Sequence, residues 1–344
     1  MKFLERDCVS QKYLRLYCDF FKTRHDIWVN RYYKKLPQNE WTTDEVMKNF
    51  KFTNAYRELD RGTLYYTEVM VPRCRNEKEL LLNTLVYKMF NKIETQSEIG
   101  HIEIRNNNKI DLDRIKEILE RMTDEGKPVF TSAHMVQGMM GYKIPKDEQS
   151  IYGKDIKCNR IMMGVCKDFL PNIDKILNRF EQAKTFKECF DICCDFLGYG
   201  LGEFIGYEIL VHLSMAGFFK RFTINDWSNP GPGAMKAISA IMGNPVNTSK
   251  IPYKDCEEII RELYENQEYF FDKFEIDVSK FPKFSMLNCE NALCESSKRF
   301  KALNDSGRPR VSYDTKSCDF SKSTETYLEL LNRNKNRLKE FYLE

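Results

Sequence analysis

Several motifs that would identify common enzyme classes are absent from this 344-residue sequence. There is no G-x-x-x-x-G-K-[ST] segment, which excludes a P-loop kinase or ATPase. The four histidines form neither H-x-x-x-H nor H-E-x-x-H, so we predict no zinc site and expect neither a metal nor a cofactor. No stretch approaches the roughly 20 apolar residues of a membrane span, and the first ten residues contain no apolar signal segment. We therefore expect a protein that is not secreted and contacts no membrane, located in the cytoplasm, in the host cytoplasm for a viral protein, or in a nucleus.

Cysteine is present but lacks the spacing of a metal or disulfide framework. The 12 cysteines are scattered, and no C-x-x-C pair occurs. We expect most of them to be reduced and buried, as in a cytosol-like compartment. Hydrophobic residues make up 42% of the chain and charged residues 31%. This composition predicts a folded protein with a sizeable core.

Positive charge is concentrated at the two ends of the chain, although the net charge is only +3. Residues 1–75 contain 15 Lys and Arg against 10 Asp and Glu, and residues 296–344 contain 11 against 7. Residues 76–150 instead contain 11 against 13. If the two ends meet in the fold, they form a basic face that suits a polyanion such as nucleic acid. An ordinary solvated surface is the simpler interpretation.

Most of the chain has the apolar spacing of helices. The segment from Asp111 to Gly126 carries an apolar stripe, ends at a glycine and is followed by a proline, which predicts a helix. Thr185 with Glu188, and Thr42 with Glu45, have the spacing of N-terminal capping boxes. Because the alternation typical of strands is hard to find, the sequence predicts an all-α fold.

The organisation of the chain is predicted to be a single helical unit without internal repeats. It is divisible into two lobes of about residues 1–125 and 126–320, followed by a C-terminal helix over residues 323–343. Glycine and proline cluster at residues 225–233 and 304–310, and we interpret these clusters as loops rather than domain boundaries.

The strongest local motif is the glycine-rich segment from Leu197 to Tyr207, which lies between two apolar helical stretches. Gly200 and Gly202 permit backbone conformations that other residues avoid, and with Leu201 they form a tight hairpin before the second helix. Exposed N–H groups at that helix start bind one phosphate oxygen. Gly206 allows the two helices to approach closely. This pattern is typical of a helix-hairpin-helix, which grips DNA without reading its sequence, and a glycine-rich helical corner is the alternative.

An aspartate lies about one helix length after the hairpin in the sequence. Asp226 lies 24 residues after Gly202, and this arrangement resembles the helix-hairpin-helix DNA glycosylases, in which an aspartate about one helix further on faces the flipped base. Glu203 stands where bifunctional members of that superfamily carry a Schiff-base lysine, so lyase chemistry of that kind is not expected. The simpler interpretation of Asp226 is a turn or N-cap residue.

A second constellation lies in residues 52–62. If this segment is helical, Asn54, Arg57 and Arg61 project from one face. The two arginines would repel each other unless they are paired separately or share an anion. Asp60 and Glu58 supply the ordinary pairing, whereas a diphosphate would match both guanidinium groups. Lys88 adds positive charge elsewhere, and Thr131 is a candidate pocket hydroxyl.

The motifs taken together, over roughly residues 25–313, resemble the α-glutamyl/putrescinyl-thymine pyrophosphorylase family, also described as amino acid:DNA transferases, of phage-type thymine hypermodification. A related helical domain is fused to 5-hydroxymethyluracil DNA kinases, whose kinase part has no counterpart in this sequence. The resemblance rests on Ile27-Trp28 with Arg31, Trp41-Thr42, Phe52 to Arg57 with Asp60-Arg61, Pro128 to Thr131, Gly200 to Tyr207, Asp226-Trp227 with Gly231 to Ala234, Leu293 to Glu295 with Lys298, and Arg308 to Arg310.

The resemblance implies a helical, DNA-glycosylase-like fold that acts on 5-(pyrophosphoryloxymethyl)uracil in DNA. The implied reaction displaces pyrophosphate from the 5-methylene carbon with an amine, either an amino acid or a polyamine. Such chemistry needs a base swung out of the stack, cations that stabilise the leaving pyrophosphate and a carboxylate that takes a proton from the amine. Glu203 and Gly206 replace the proline and alanine expected in many relatives, which leaves the amine and the fine specificity open.

On this resemblance the sequence assigns three groups of site residues. The catalytic group is Asp226, Arg57, Arg61, Asp60 and Asn54. The substrate-binding group is Arg31, Thr131, Lys88 and Lys298. The DNA-binding group is Gly200, Leu201, Gly202, Arg308 and Arg310. Cys294 and Glu295 match the C-terminal signature without an assigned role.

Two other functions stay open at this stage. A glycosylase that excises a modified pyrimidine would use the same hairpin and Asp226, and would produce abasic DNA without an amine. A catalytically silent DNA-binding module would retain its binding after the loss of Asp226. Neither alternative requires the cluster of Asn54, Arg57, Asp60 and Arg61.

Overall fold

The chain packs into two compact units, one of residues 1–64 with 224–344 and the other of residues 65–223. The computed structural model describes residues 1–131, 143–154, 156–196, 201–307, 309, 312–313, 320–333 and 337–342. The boundaries of the units differ from the lobe boundary near residue 125 that the sequence indicates. The physical reason is that the first unit joins both ends of the chain around one long buried helix.

The described residues confirm the prediction of an all-α fold. Their only β pairings are two isolated bridges, between Phe50 and Ser312 and between Arg105 and Lys109. Single turns of 3-10 or π-helix extend or connect several of the α-helices. The α-helices are α1 (Gln11–Trp28), α2 (Glu45–Asn49), α3 (Arg61–Tyr65), α4 (Glu77–Phe90), α5 (Ile93–Ile99), α6 (Leu112–Asp124), α7 (Gln149–Tyr152), α8 (Lys157–Gly164), α9 (Leu170–Gln182), α10 (Phe186–Cys194), α11 (Glu203–Met215), α12 (Pro232–Ile241), α13 (Tyr253–Glu265), α14 (Gln267–Lys273), α15 (Met286–Leu303), α16 (Phe320–Arg333) and α17 (Arg337–Phe341).

Helix α15 is the centre of the first unit. It packs against α12, α1 and α13, and 13 of its 18 residues are buried. Ser285 caps its first turn by accepting a hydrogen bond from the Asn288 backbone N–H at 3.2 Å. Gly233 of α12 approaches so closely that a Cβ there would lie 2.5 Å from Cys294 Sγ. A helix buried on nearly every side places its polar residues inside the unit, where they need partners.

Hydrogen bonds attach the two C-terminal helices, α16 and α17, to α1. Trp28 Nε1 donates to Tyr327 Oη at 2.7 Å, and Tyr327 Oη donates to the Leu59 carbonyl at 2.6 Å. His25 Nε2 lies 2.6 Å from the Phe341 carbonyl oxygen. Tyr327 therefore ties α16 both to α1 and to the segment just before α3. Within the range of the helix predicted over residues 323–343, the described residues include α16 up to Arg333 and α17 from Arg337 to Phe341.

In the second unit, helices α10 and α11 form the predicted pair around the glycine-rich segment. Thr185 caps α10 by accepting from the Glu188 N–H at 3.1 Å, which confirms that capping box. Helix α10 ends at Cys194, and Gly200 lies outside the described residues. Gly202 has φ +74° and precedes α11, in the left-handed region that favours glycine.

Gly206 is the contact point between α10 and α11. A Cβ at this position would lie 2.5 Å from Cys194 Sγ and 3.1 Å from the Cys194 backbone nitrogen. We expect Gly206→Ala to lower the free energy of unfolding by about 1–3 kcal/mol, because the helices must separate or the sulfur must move. Thermal denaturation followed by circular dichroism measures this loss. Adding Cys194→Ala removes the sulfur and should restore part of the stability; equal stability of Gly206→Ala and the wild type would contradict the close packing.

The other capping box that the sequence indicates, at Thr42, is wrong by two residues. Asp44 is the N-cap of α2 and accepts from the Met47 N–H at 2.8 Å. Thr42 instead accepts a hydrogen bond from the Asp44 N–H at 3.1 Å. The predicted helix at Asp111 is confirmed as α6, with Asp111 as its N-cap.

Candidate functional site

A buried polar cluster forms where residues 53–60 pack against α15. Asn291 Nδ2 donates to Thr53 Oγ1 at 3.0 Å and to the Asn54 carbonyl at 3.3 Å. Asn288 Oδ1 accepts from the Arg57 backbone N–H at 3.0 Å. These contacts join residues more than 230 positions apart in the sequence. Two asparagines one helical turn apart on α15 thus hold the backbone of residues 53–57.

Residues 54–61 do not form a single helix, so the condition under which Asn54, Arg57 and Arg61 would project from one helical face is not met. Only one turn of 3-10 helix, Arg57–Leu59, precedes Asp60, whose ψ of 139° is extended, and α3 begins at Arg61. The Asp60 carboxylate accepts from the Asn54 N–H at 2.9 Å through Oδ1. This hydrogen bond closes a loop and satisfies a backbone group that a helix would have satisfied internally.

Arg57 and Asp60 are brought together by that loop. Arg57 Nε lies 2.8 Å from Asp60 Oδ2, so the ordinary pairing considered for Arg57 is present. Burial raises the pKa of Asp60, whereas the charge of Arg57 and the Asn54 N–H act to lower it. Both oxygens of the Asp60 carboxylate are therefore in use. Oδ1 accepts from the Asn54 N–H and closes the loop, and Oδ2 pairs with the Arg57 guanidinium.

Helix α15 adds a second ion pair beside this loop. Lys298 Nζ lies 2.5 Å from Glu295 Oε1, and Glu295 Oε2 accepts from the Thr53 N–H at 3.4 Å. Burial acts to lower the pKa of Lys298, but the charges of Glu295 and Cys294 and the hydrogen bond to Glu295 together outweigh it, and the pKa is raised. Glu295 is 3% exposed, so the C-terminal signature of the sequence contributes directly to the cluster. Burial also raises the pKa of the neighbouring Cys294 thiol to about 12.

Glu58 is a third carboxyl group in the cluster, and the sequence analysis considered it only as a pairing partner. The side chain of Asn288 hydrogen-bonds to it, and burial raises its pKa above the usual range despite the nearby charge of Arg57. Its Oε2 atom is shielded from solvent and has no hydrogen-bond partner among the described residues. Glu58 is therefore the carboxyl group of this cluster with an oxygen still available.

Arg24 of α1 also belongs to the cluster and was not found by sequence reasoning. Its Nη2 donates to Asn54 Oδ1 at 2.7 Å, and its Nε donates to the Thr53 carbonyl at 2.9 Å. Asn54 Nδ2 in turn donates to the Leu59 carbonyl at 2.7 Å. Asn54 is buried and fully engaged, which makes it a support of the loop. Nothing in the sequence pattern of α1 distinguishes Arg24 from a surface arginine.

Arg31 also lies in the first unit, and three aromatic rings are close to its guanidinium group. Its guanidinium carbon is 4.7 Å from the centre of the Tyr32 ring, 5.0 Å from Trp41 and 5.3 Å from Tyr313. Stacking on aromatic faces leaves the edges of a guanidinium group available to an anion. Arg61, at the first position of α3, is partly exposed.

Asp226 is exposed and lies in the loop before α12. Its backbone carbonyl accepts from Arg261 Nη2 at 2.8 Å. The preceding residue, Asn225, accepts from the Met286 N–H at 3.0 Å through its side chain. The loop that carries Asp226 is thus attached to the beginning of α15, the helix that supports the cluster.

The second unit contains the remaining described positions of the predicted site. Lys88 is 2% exposed and lies 2.8 Å from Glu208 Oε2, an internal ion pair between α4 and α11. The Thr131 N–H faces the Phe90 carbonyl at 3.5 Å. Leu201 and Gly202 lie at the start of α11. Gly200, Arg308 and Arg310 lie outside the described residues.

No three His, Cys, Asp or Glu side chains among the described residues are grouped so that they could hold a metal ion. No helix in the described segments has both the length and the apolar character needed to cross a membrane.

Comparisons with known proteins give one family and one relative. The sequence model of the family described as "5-hmdU DNA kinase, helical domain" matches residues 11–307. The 5-hmdU DNA kinase of Bacillus phage SP10 is 27% identical over 241 residues, which are 66% of this chain and 36% of that protein. The chain thus spans little more than a third of the curated relative. No solved structure matches the chain.

Proposed function

The chain belongs to the family of the 5-hmdU DNA kinase helical domain, and from this premise we propose that it is an enzyme acting on a modified thymine base in DNA. The finer proposal is a transferase that displaces pyrophosphate from 5-(pyrophosphoryloxymethyl)uracil with an amine. The amine is an amino acid or a polyamine. Modified-thymine DNA metabolism of a phage is the setting that the relative supports.

One observation supports the transferase most strongly. The segment containing Asn54, Arg57 and Asp60 packs against the α15 segment containing Glu295 and Lys298. Both segments were singled out by the resemblance, and they are far apart in the sequence. Their packing gathers several guanidinium and carboxyl groups in a site largely shielded from water, where charge interactions are stronger than in solvent.

The proposed chemistry assigns each part of the cluster a task. Arg57 and Arg61, with Arg31 on its aromatic support, stabilise the departing pyrophosphate, since guanidinium groups pair with phosphate oxygens through two hydrogen bonds. Asp60 holds the Arg57 guanidinium by its Nε edge and therefore acts as a positioning residue. Asp226 takes the proton from the incoming ammonium or stabilises it electrostatically.

DNA binding is assigned to the glycine-rich segment before α11 and to the basic C-terminal segment. Gly200, Leu201 and Gly202 are assigned to one DNA phosphate, which the N–H groups at the beginning of α11 would bind. The Leu201 N–H itself donates to the Cys194 carbonyl at 2.9 Å. Arg308 and Arg310 are assigned to the same backbone, whereas Thr131, Lys88 and Lys298 remain candidate substrate contacts. Lys88 and Lys298 each already pair with a glutamate.

The experiment that tests this proposal supplies the substrate directly. The protein is incubated with DNA containing 5-(pyrophosphoryloxymethyl)uracil and a mixture of amino acids and polyamines, and the digested nucleosides are identified by mass spectrometry. We expect a new nucleoside that carries an amine, with one pyrophosphate released for each nucleoside formed. A reaction without amines is the control.

The other outcomes separate the alternative functions. Abasic sites that form without any amine would replace the transferase by a glycosylase. DNA binding with an unchanged modified nucleoside would contradict the transferase for these amines and favour a silent binding module.

A further inference from the structure

The cluster contains three carboxyl groups, Asp60, Glu295 and Glu58, which differ in the use of their oxygens. Asp60 Oδ1 accepts a hydrogen bond from the Asn54 N–H, and Asp60 Oδ2 forms an ion pair with Arg57. Glu295 Oε1 forms an ion pair with Lys298, and Glu295 Oε2 accepts a hydrogen bond from the Thr53 N–H. Glu58 Oε2 is buried and has no hydrogen-bond partner in the described part of the chain. Of the three, Glu58 is the group whose oxygen can carry and pass on a proton without breaking the loop.

The surroundings of Glu58 favour its neutral form. Asn288 of α15 hydrogen-bonds to its carboxyl group; Arg57 and Asp60 are the charged neighbours on its own segment, and burial raises its pKa overall. Tyr56 is the remaining titratable neighbour on that segment, and its own pKa is raised by burial and by the charge of Glu58. A buried carboxyl group with a raised pKa and an oxygen free of hydrogen bonds is suited to act as a general acid.

The charged groups of α15 also face this region. Glu290, Glu295 and Lys298, together with Arg57, all act on the Cys294 thiol, which lies among them. The charge of Arg57 favours an ionised Glu58, so an anion that pairs with Arg57 weakens this effect. Occupation of Arg57 by a pyrophosphoryl group should therefore increase the proton affinity of Glu58.

We propose that Glu58 is the general acid of the site and donates its proton to the leaving pyrophosphate. This inference rests on the proposed transfer reaction. The amine nitrogen forms a bond to the 5-methylene carbon while the carbon–oxygen bond breaks, and its electron pair stays on the pyrophosphate oxygen. Asp226 takes a proton from the incoming ammonium before the nitrogen attacks, and the pyrophosphate oxygen receives the Glu58 proton. Asp226 then releases its proton to solvent and Glu58 takes one up, so that both groups return to their starting forms.

The first test measures proton uptake without turnover. Inorganic pyrophosphate is titrated into the full chain near pH 7 by isothermal titration calorimetry in two buffers that differ in ionisation enthalpy. We expect the wild type to take up protons on binding, and Glu58→Gln to bind pyrophosphate with less than about threefold change in affinity but with little proton uptake. Gln keeps the size of Glu and its contact with Asn288, and the exposed Glu265→Gln is the matched control. Equal proton uptake by Glu58→Gln and the wild type would overturn the proposal.

The second test measures the transfer reaction with the modified DNA. We expect Glu58→Gln to lower kcat by ~100-fold, near the lower end for general acids because pyrophosphate is already a stable leaving group. The wild-type rate should fall as the pH rises through the pKa of Glu58, since the acid form is required. Glu58→Gln should lose this dependence, whereas a merely structural role would leave the pH profile unchanged.

The two tests separate the failure of this inference from the failure of the proposed function. A wild type that forms the aminated nucleoside, with an unaltered pH profile in Glu58→Gln, overturns the role of Glu58 alone. A wild type that releases no pyrophosphate overturns the transferase, and with it Glu58 as the acid of that reaction. Thermal denaturation of Glu58→Gln and Glu58→Asp checks that both variants remain folded.

Discussion

Arg57→Ala is expected to lower the rate of pyrophosphate release by ~1,000-fold while leaving DNA affinity within about twofold of the wild type. The magnitude is that of removing one preorganised donor from a charged transition state. DNA affinity should persist because the hairpin and the basic C-terminal segment, which are assigned to the DNA backbone, are unchanged. Release is measured with a coupled pyrophosphate assay, and affinity by fluorescence anisotropy at a fixed salt concentration.

Two variants complete the test of Arg57. Arg57→Lys keeps the charge but loses the forked geometry, and should recover only a small part of the rate. Arg15→Ala removes an exposed arginine of α1 and should behave as the wild type. If Arg57→Ala lost DNA affinity and activity to the same extent, the assignment of Arg57 to pyrophosphate would be wrong.

Arg299→Met is expected to lower the free energy of unfolding of the first unit by about 3 kcal/mol. Arg299 is 4% exposed, and its Nη2 lies 2.7 Å from Asp19 and 2.5 Å from Asp44. Methionine keeps the aliphatic stem but leaves both carboxylates without their cation, and breaking a buried pair in this way is strongly destabilising. The melting temperature should fall by about 6–10 °C for a unit of this size.

Controls separate the lost charge pair from a general packing defect. Asp44 also caps α2 through its other oxygen, so Arg299→Met with Asp44→Asn should recover part of the stability while the cap remains. Arg121→Met breaks an exposed pair with Glu98 and should cost less than about 1 kcal/mol. A change in melting temperature of less than 2 °C for Arg299→Met would contradict the buried network.

The all-α fold and several helix ends could be predicted from local sequence. Asp111 and Thr185 cap the helices expected of them, because capping uses a side chain and a backbone group only three residues apart. Gly206 also lies at the expected contact with α10. These features depend on neighbours in the chain, which is the information that a single sequence contains.

The detailed geometry of the cluster could not be predicted, because it depends on long-range contacts. The 54–61 segment has helical spacing, but Asn288 and Asn291 of α15 hold it as a loop. A buried asparagine looks like a surface residue in a sequence, and its burial follows only from what α15 packs against. For the same reason no role beyond charge pairing could be predicted for Glu58, and the assigned roles of Arg57, Asp226 and the hairpin stay predictions.

The first unit is built from two parts of the chain, residues 1–64 and 224–344, which the ribosome synthesises at different times. Residues 65–223 are continuous, so this unit can fold as soon as it leaves the ribosome. The loop that carries Arg57 must wait for α15, more than 200 residues later in the chain. At ~5–20 residues per second, that delay is about 10–50 s. During this interval Phe21 of α1 lacks its partners Phe271 and Phe284, and exposed apolar surface of this kind makes a nascent chain prone to aggregation.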